Sequence, residues 1–212
     1  MTGTFMEGAR ERMFYYSGGY FAHFDIGSGS GEANGINDGG QIVGDAIVSG
    51  NSRGFLTQFS HLNADYRFFD TATGDHFYTV SAAEAALVRA TLPSYRDEGA
   101  PWTTPDTGPD TTNVYRFFDS ATGAHFLTAS LAERDLVRAT LPTYRFEGIA
   151  FEAYLGAGDG TLTLDRFYNT LTHVHHYAAS AAESASILGG GAGAGWVAEG
   201  AGPIVHRTGS AG

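Results

Sequence analysis

Three kinds of polar residue recur at matched spacing in this chain of 212 residues. Arg67, Arg116 and Arg166 stand 49 and 50 residues apart, and His76, His125 and His175 each follow nine residues later. Glu98, Glu147 and Glu199 complete each set. An arginine offers five donors, which a glutamate and an imidazole of the same unit can satisfy as a purely structural network. The same groups can instead rim a pocket in each unit, with Phe69, Phe118, Tyr168, Tyr78 and Tyr177 as stacking surfaces for a sugar. Hydrolysis needs two groups of separated pKa in one site, which a threefold duplication does not provide. A hydrolase therefore requires a His/Glu pair in one diverged copy, and ranks behind a non-catalytic binding module. A structural spacer is the third reading.

Metal chemistry has two weaker candidates. The run His173-Val174-His175-His176 puts His173 and His175 on one face if it is a strand. Calcium is possible at Asp70/Asp75, Asp106/Asp110 or Asn37/Asp38, although none has a complete ligand spacing. No motif calls for an organic cofactor, and the chain has no cysteine.

These residues sit in a tandem repeat. Tyr66-Arg67-Phe68-Phe69-Asp70 and His76-Phe77-Tyr78-Thr79 predict a β-hairpin whose turn has Gly74 in the left-handed region. Residues 115–128 repeat it, and residues 165–178 repeat it again with His173 in the place of Gly74. Each hairpin leads to a helix opened by a capping box: Ser81/Glu84, Ser130/Glu133 and Ser180/Glu183. Capping explains those glutamates completely, so no further role is assigned to them. Pro93 and Pro142 end the first two helices, while the third runs into the glycines of 189–195. Leu87, Val88 and Leu92, matched by Leu136, Val137 and Leu141, predict the stripe that docks each helix. An aromatic and a Glu-Gly pair close each unit, and a further strand follows.

The first sixty residues differ. Gly3…Arg12-Met13-Phe14 aligns with Gly44…Arg53-Gly54-Phe55 at an offset of 41, and Gly35-Ile36-Asn37-Asp38-Gly39-Gly40-Gln41-Ile42-Val43-Gly44 lies between. Residues 2–57 resemble the HAF-type extracellular repeat, which implies β-rich blades and, here, the cut end of an array. A lone repeat buries little of its apolar face, so this region is expected to be the less stable. Residues 66 to about 207 resemble a repeat known only as a domain of unknown function, with units Y-R-F-Y…T-G-x-H-F-Y-T…E…E-G-I-A-F. That resemblance implies a secreted, accessory, binding-type protein, extracellular or on the cell surface, and assigns no activity.

Composition narrows the partners. With 23 acidic against 12 basic residues, all arginine, the net charge is −11, which argues against nucleic acid as partner, since phosphate binding needs a clustered basic surface. No apolar run has the length of a membrane span, and no signal peptide is visible after Met1. The expected protein is α+β and β-rich. It has a β-repeat fragment over 1–62 and a domain over 63–212 of three β-β-α-β units, about 64–113, 114–163 and 164–207. The units are expected to close around a pseudo-threefold axis, with a β-trefoil-like arrangement as the alternative. A glycan or cell-surface material is the expected ligand.

Overall fold

The computed structural model describes residues 2–7, 10–17, 20–24, 31–36, 41–58, 62–158 and 160–208. The chain divides into two compact units, Met1–His61 and Leu62–Gly212. The fold is β-rich with three helices among the described residues.

The first unit holds two antiparallel three-stranded sheets. One is formed by β1 (Thr2–Glu7), β2 (Arg10–Ser17) and β3 (Tyr20–Phe24), the other by β4 (Gly31–Ile36), β5 (Gln41–Val48) and β6 (Asn51–Gln58). Gly3 pairs with Phe14 in the first sheet and Gly44 with Phe55 in the second. A Cβ on either glycine meets that phenylalanine ring within 2.8 Å, so the missing side chain is the seat of the ring in both halves of the 41-residue repeat. Ser49 and Gly50 both take positive φ, 53° and 79°, as the two-residue turn between β5 and β6 demands. Residues 37–40 lie outside the described residues, and with them the Asn37/Asp38 calcium candidate.

The second unit is built from three copies of one pattern. They are β7 (Leu62–Asp70), β8 (His76–Thr79), α1 (Ala82–Thr91), β9 (Tyr95–Asp97) and β10 (Trp102–Pro105); then β11 (Thr111–Asp119), β12 (Ala124–Thr128), α2 (Leu131–Thr140) and β13 (Tyr144–Tyr154); then β14 (Thr161–Asn169), β15 (His175–Ala178), α3 (Ala181–Leu188) and β16 (Trp196–Arg207). In each copy the first strand lies between its hairpin partner and the closing strand, and every ladder is antiparallel. The copies join where β16 meets β10 and β13.

Local chemistry explains the repeated hairpin. Asp70, Asp119 and Asn169 each accept two hydrogen bonds from the turn that follows, and this ties the loop to its strand. Gly74 and Gly123 have φ of 79° and 78°, and His173 adopts 62° at the same place. The helices are anchored less broadly than their leucines suggest. Val88 and Val137 are buried, but Leu87 and Leu136 are each 61% exposed, and Leu92 and Leu141 stand at the helix ends, partly in solvent. A ten-residue helix over a narrow hairpin buries only one residue per turn, so Ala85 and Val88 suffice beneath α1.

Two layers of core result. Each helix closes a small cluster over its own hairpin, such as Phe68, Phe77, Ala85 and Val88. A central cluster draws on all three copies: Tyr78, Trp102, Val114, Leu127, Phe151, Ala153, Leu164, Tyr177 and Val205. Tyr78 and Tyr177 are 1% exposed there. They do not offer stacking surfaces to a sugar: Tyr78 shares a strand face with His76 but packs on Trp102 and Tyr177 inside the central cluster. The Tyr177 hydroxyl donates to Leu127 O and accepts from Leu127 N–H, while Tyr78 Oη accepts from Tyr177 N–H.

Candidate functional site

The Glu-Gly pair that ends each copy is a device for aiming a carboxylate. Gly99, Gly148 and Gly200 have φ of 78°, 108° and 101°. The β11–β13 register slips between Arg116 and Phe117, and the β14–β16 register slips between Arg166 and Phe167. Glu147 and Glu199 are the extra residues, and a bulge turns the side chain of its extra residue away from the ladder. Each glutamate thus reaches the arginine of its own copy. Arg116 Nε donates to Glu147 Oε2 at 2.9 Å, and Arg67 Nε and Arg166 Nε lie 3.0 Å from Glu98 Oε2 and Glu199 Oε2. The histidines flank the same carboxylates: His76 at 3.5 Å from Glu98, His125 at 4.0 Å from Glu147, His175 at 3.5 Å from Glu199.

The capping glutamates also take part, contrary to the sequence reading. Ser81, Ser130 and Ser180 cap their helices through Oγ, each accepting from the N–H of the glutamate three residues on. Thr79 and Thr128 take the N–H of Ser81 and Ser130, so the glutamate side chains need not fold back onto the cap. They extend to the arginine of another copy. Arg116 forks onto Glu84, Arg166 forks onto Glu133, and Arg67 Nη1 donates to Glu183 at 2.7 Å. Each of these three arginines therefore bridges two copies, and Arg67 links the first to the third.

Three grooves lie over these bridges. Two are small, about 330 Å³ beside Arg116 and about 240 Å³ beside Arg166. In them Phe77 packs edge-on to His125 and Phe126 packs at a tilt on His175. The same phenylalanines carry the arginines over their faces, 4.8 Å for Arg116 and 5.5 Å for Arg166. The third groove, beside Arg67, measures about 530 Å³ and is built differently. The residue in register with Phe77 and Phe126 is His176, opposite Phe167. Its Nε2 lies 2.9 Å from Glu183 Oε1, and its Nδ1 lies 3.2 Å from Nδ1 of His76. Trp196 and Ile187 supply apolar wall, and Arg96 and Ser186 supply polar rim.

Electrostatics pins this groove. The imidazole of His76, then Arg96 and Arg67, hold Glu98 at about 2 although burial works against them. Burial likewise opposes ionisation of Glu183, yet His176, the Ala179 N–H and Arg67 hold it at about 2. Burial lowers the pKa of His176. Both carboxylates are therefore anions at neutral pH.

The remaining sequence candidates fall out as follows. Phe69 lies between His76 at 5.0 Å and the Arg96 guanidinium at 5.2 Å, and Phe118 lies likewise between His125 and Arg145. Neither ring face is a free platform. Tyr168 has Val197 opposite it in place of an arginine, and its hydroxyl meets Nδ1 of His173 at 2.5 Å. His173 sits in the turn ahead of β15 and not on the strand with His175, whose Nδ1 is buried without a hydrogen-bond partner. Asp75 is fully buried on the backbone and ring of His125, and Asp106 accepts from Asn63. Among the described residues no group of three or more His, Asp or Glu is arranged to hold a metal, and no helix is long and apolar enough to cross a membrane.

His176, Trp196 and Glu183 were missed as site residues. The available signal was departure from the repeat: a histidine where two copies have phenylalanine, and a tryptophan where two have tyrosine. Neither the curated proteins nor the solved structures contain a match to the chain. The model of one family does match, across residues 64–205, which takes in all three copies of the pattern. The chain belongs to that family, described as Domain of unknown function (DUF5648).

Proposed function

We propose that this protein is a non-catalytic extracellular binding module for glycan or cell-surface material, with its ligand seat in the groove beside Arg67. The observation that carries this reading is the asymmetry of the three grooves. Two are plugged by a phenylalanine under an arginine, and the third is larger and lined by His176, His76 and Trp196. Arg67 and Arg96 balance Glu98 and Glu183, so the groove carries little net charge and suits a neutral, hydroxyl-rich ligand. The charge of −11 disfavours anionic partners.

The hydrolase reading has the His176/Glu183 pair in its favour. It lacks a proton donor: both groove carboxylates are held at about 2, and a glycosidase needs one carboxylic acid still protonated near neutral pH. The acid raised to about 7 is Asp65, which has no exposed surface.

The architecture that goes with the proposal is a closed pseudo-threefold arrangement of three β-β-α-β units over 63–212. The cyclic order of the bridges supports it, second copy to first, third to second and first to third. Residues 1–62 are read as a HAF-type fragment, with the Gly3/Phe14 and Gly44/Phe55 pairs in support. Trp196 provides the test. The chain has two tryptophans and Trp102 is fully buried, so saturable change in emission on adding a soluble glycan reports on Trp196. A glycan array identifies the probe, and Trp196→Ala abolishes the response. An array without hits, or a hit that Trp196→Ala binds unchanged, overturns the reading.

A further inference from the structure

We infer that His76 and His176 form a two-imidazole site for a first-row divalent transition-metal ion, of the zinc, nickel or copper kind. This inference does not depend on the groove's binding a glycan. It starts from which ring nitrogen holds the proton. Nε2 of His176 faces Glu183 Oε1 at 2.9 Å, and Nε2 of His76 faces Glu98 Oε2 at 3.5 Å. A carboxylate paired with a guanidinium, as Glu183 and Glu98 are with Arg67, accepts and does not donate, so His176 carries its N–H on Nε2 and Glu98 favours the same tautomer of His76. Both Nδ1 atoms then present lone pairs to each other across 3.2 Å. Two lone pairs at that distance repel unless a cation lies between or beside them.

The geometry is that of two ligands on one ion. Two imidazole nitrogens about 2.0–2.1 Å from a tetrahedral ion stand roughly 3.4 Å apart. A carboxylate behind each ring is the outer partner that ligating histidines use to fix their tautomer and raise their basicity. Charge does not oppose it: Arg67 and Arg96 are balanced by Glu98 and Glu183, so an ion meets no net positive field there. The groove opens to solvent, so water or a ligand hydroxyl completes the coordination. Imidazole selects transition ions over calcium, which demands oxygen. The site is particular to this groove, because its counterparts hold Phe77 against His125 and Phe126 against His175.

The test is a titration of the whole chain, stripped with chelator, with Zn²⁺ and with Co²⁺ in sugar-free buffer. The expected result is one saturable equivalent of Zn²⁺ by calorimetry and visible Co²⁺ absorption of imidazole-bound type. His176→Phe restores the residue of the other two copies and removes that equivalent. His173→Ala, which leaves both ligands in place, keeps it. In the unsubstituted chain, ¹⁵N spectra show Zn²⁺ shifting Nδ1 of His76 and His176 and sparing Nε2, a readout that does not require the variant to fold. No saturable equivalent, an undiminished one in His176→Phe, or Nδ1 resonances unmoved by Zn²⁺ each overturn the proposal and leave a shared proton between the rings.

Discussion

Asp65 accepts the indole N–H of Trp102 at 2.9 Å, and neither residue has any surface open to water. Val114 and Leu164 hold the corresponding position in the other two copies, so one copy has placed an acid in the central core. Burial, offset in part by the indole and by the charge of Arg116, raises its pKa to about 7. The folded chain keeps a proton that the unfolded chain releases near the ordinary value of 3.8, so stability falls as pH rises from about 4 to about 7. Asp65→Asn keeps an acceptor for Trp102 and removes the charge. It is expected to flatten that slope and to raise stability at pH 8 by up to about 4 kcal/mol. Urea melts of both proteins at pH 5 and pH 8 check this, and a slope unchanged in the variant contradicts it.

The groove carboxylates act in the opposite direction and in a different window. Glu98 and Glu183 have folded values of about 2, below their ordinary 4.5. Their stabilisation is complete above about pH 4.5 and is lost as pH falls toward 2. Glu183→Gln should remove part of this acid sensitivity and leave the contribution of Asp65 intact. Acid titrations followed by circular dichroism separate the two.

Much of this design was legible before any coordinate. The spacing of Arg67, Arg116 and Arg166 marked the copies, Gly74 marked the left-handed turn, and Glu147 was the partner expected for Arg116. What the sequence hid is what passes between copies. Ser81 and Glu84 fit a local helix signature so well that nothing pointed to Arg116, 32 residues away, as the glutamate's second partner. Alternation along the strands put Arg67, Phe69, His76 and Tyr78 on one face but did not tell where along that face groove gives way to core, so Tyr78 and Tyr177 read as sugar platforms although they are core. The leucines of the helices misled for a related reason: periodicity counts apolar residues, while burial depends on how wide a surface lies beneath.

Arg116→Ala should destabilise by roughly 2–4 kcal/mol, since it takes a charged donor from Glu84, Glu147 and Tyr78 O and leaves Glu147 only the longer contact with Arg145. The side chain of Glu84 is 37% exposed, which keeps the effect below that of a dry ion pair. A cycle with Glu84→Gln should give a coupling of about 1 kcal/mol. Additive denaturant midpoints would mean that the fork carries no energy between copies.

His173 bears a left-handed strain that Gly74 and Gly123 avoid. His173→Gly should gain up to about 1 kcal/mol from the backbone, set against the lost contact with Tyr168. The reverse change, Gly123→Ala, meets only Thr73 Cγ2 at an ordinary 3.5 Å, so its cost should be the φ term alone, about 1–2 kcal/mol. Thermal melts of the two variants should move in opposite directions, and movement in the same direction would assign the effect to packing.

The described core of Met1–His61 consists of Met13, Ala33, Ile42 and Ala46, whereas Leu62–Gly212 has a central cluster and three satellites. Amides of the first unit should therefore exchange faster than those of β11, β13, β14 and β16. Hydrogen exchange with equal protection across both units would contradict this.

Because each arginine is completed by a helix that belongs to another copy, no copy owns a finished site. Removing the third copy would take Glu183 from Arg67 and leave Glu133 without Arg166, so two grooves would be lost for one unit deleted. Copy number in this protein is thus a property of the sites themselves, and inheritance can vary a groove by point substitution, as at His176, far more cheaply than by gain or loss of a unit.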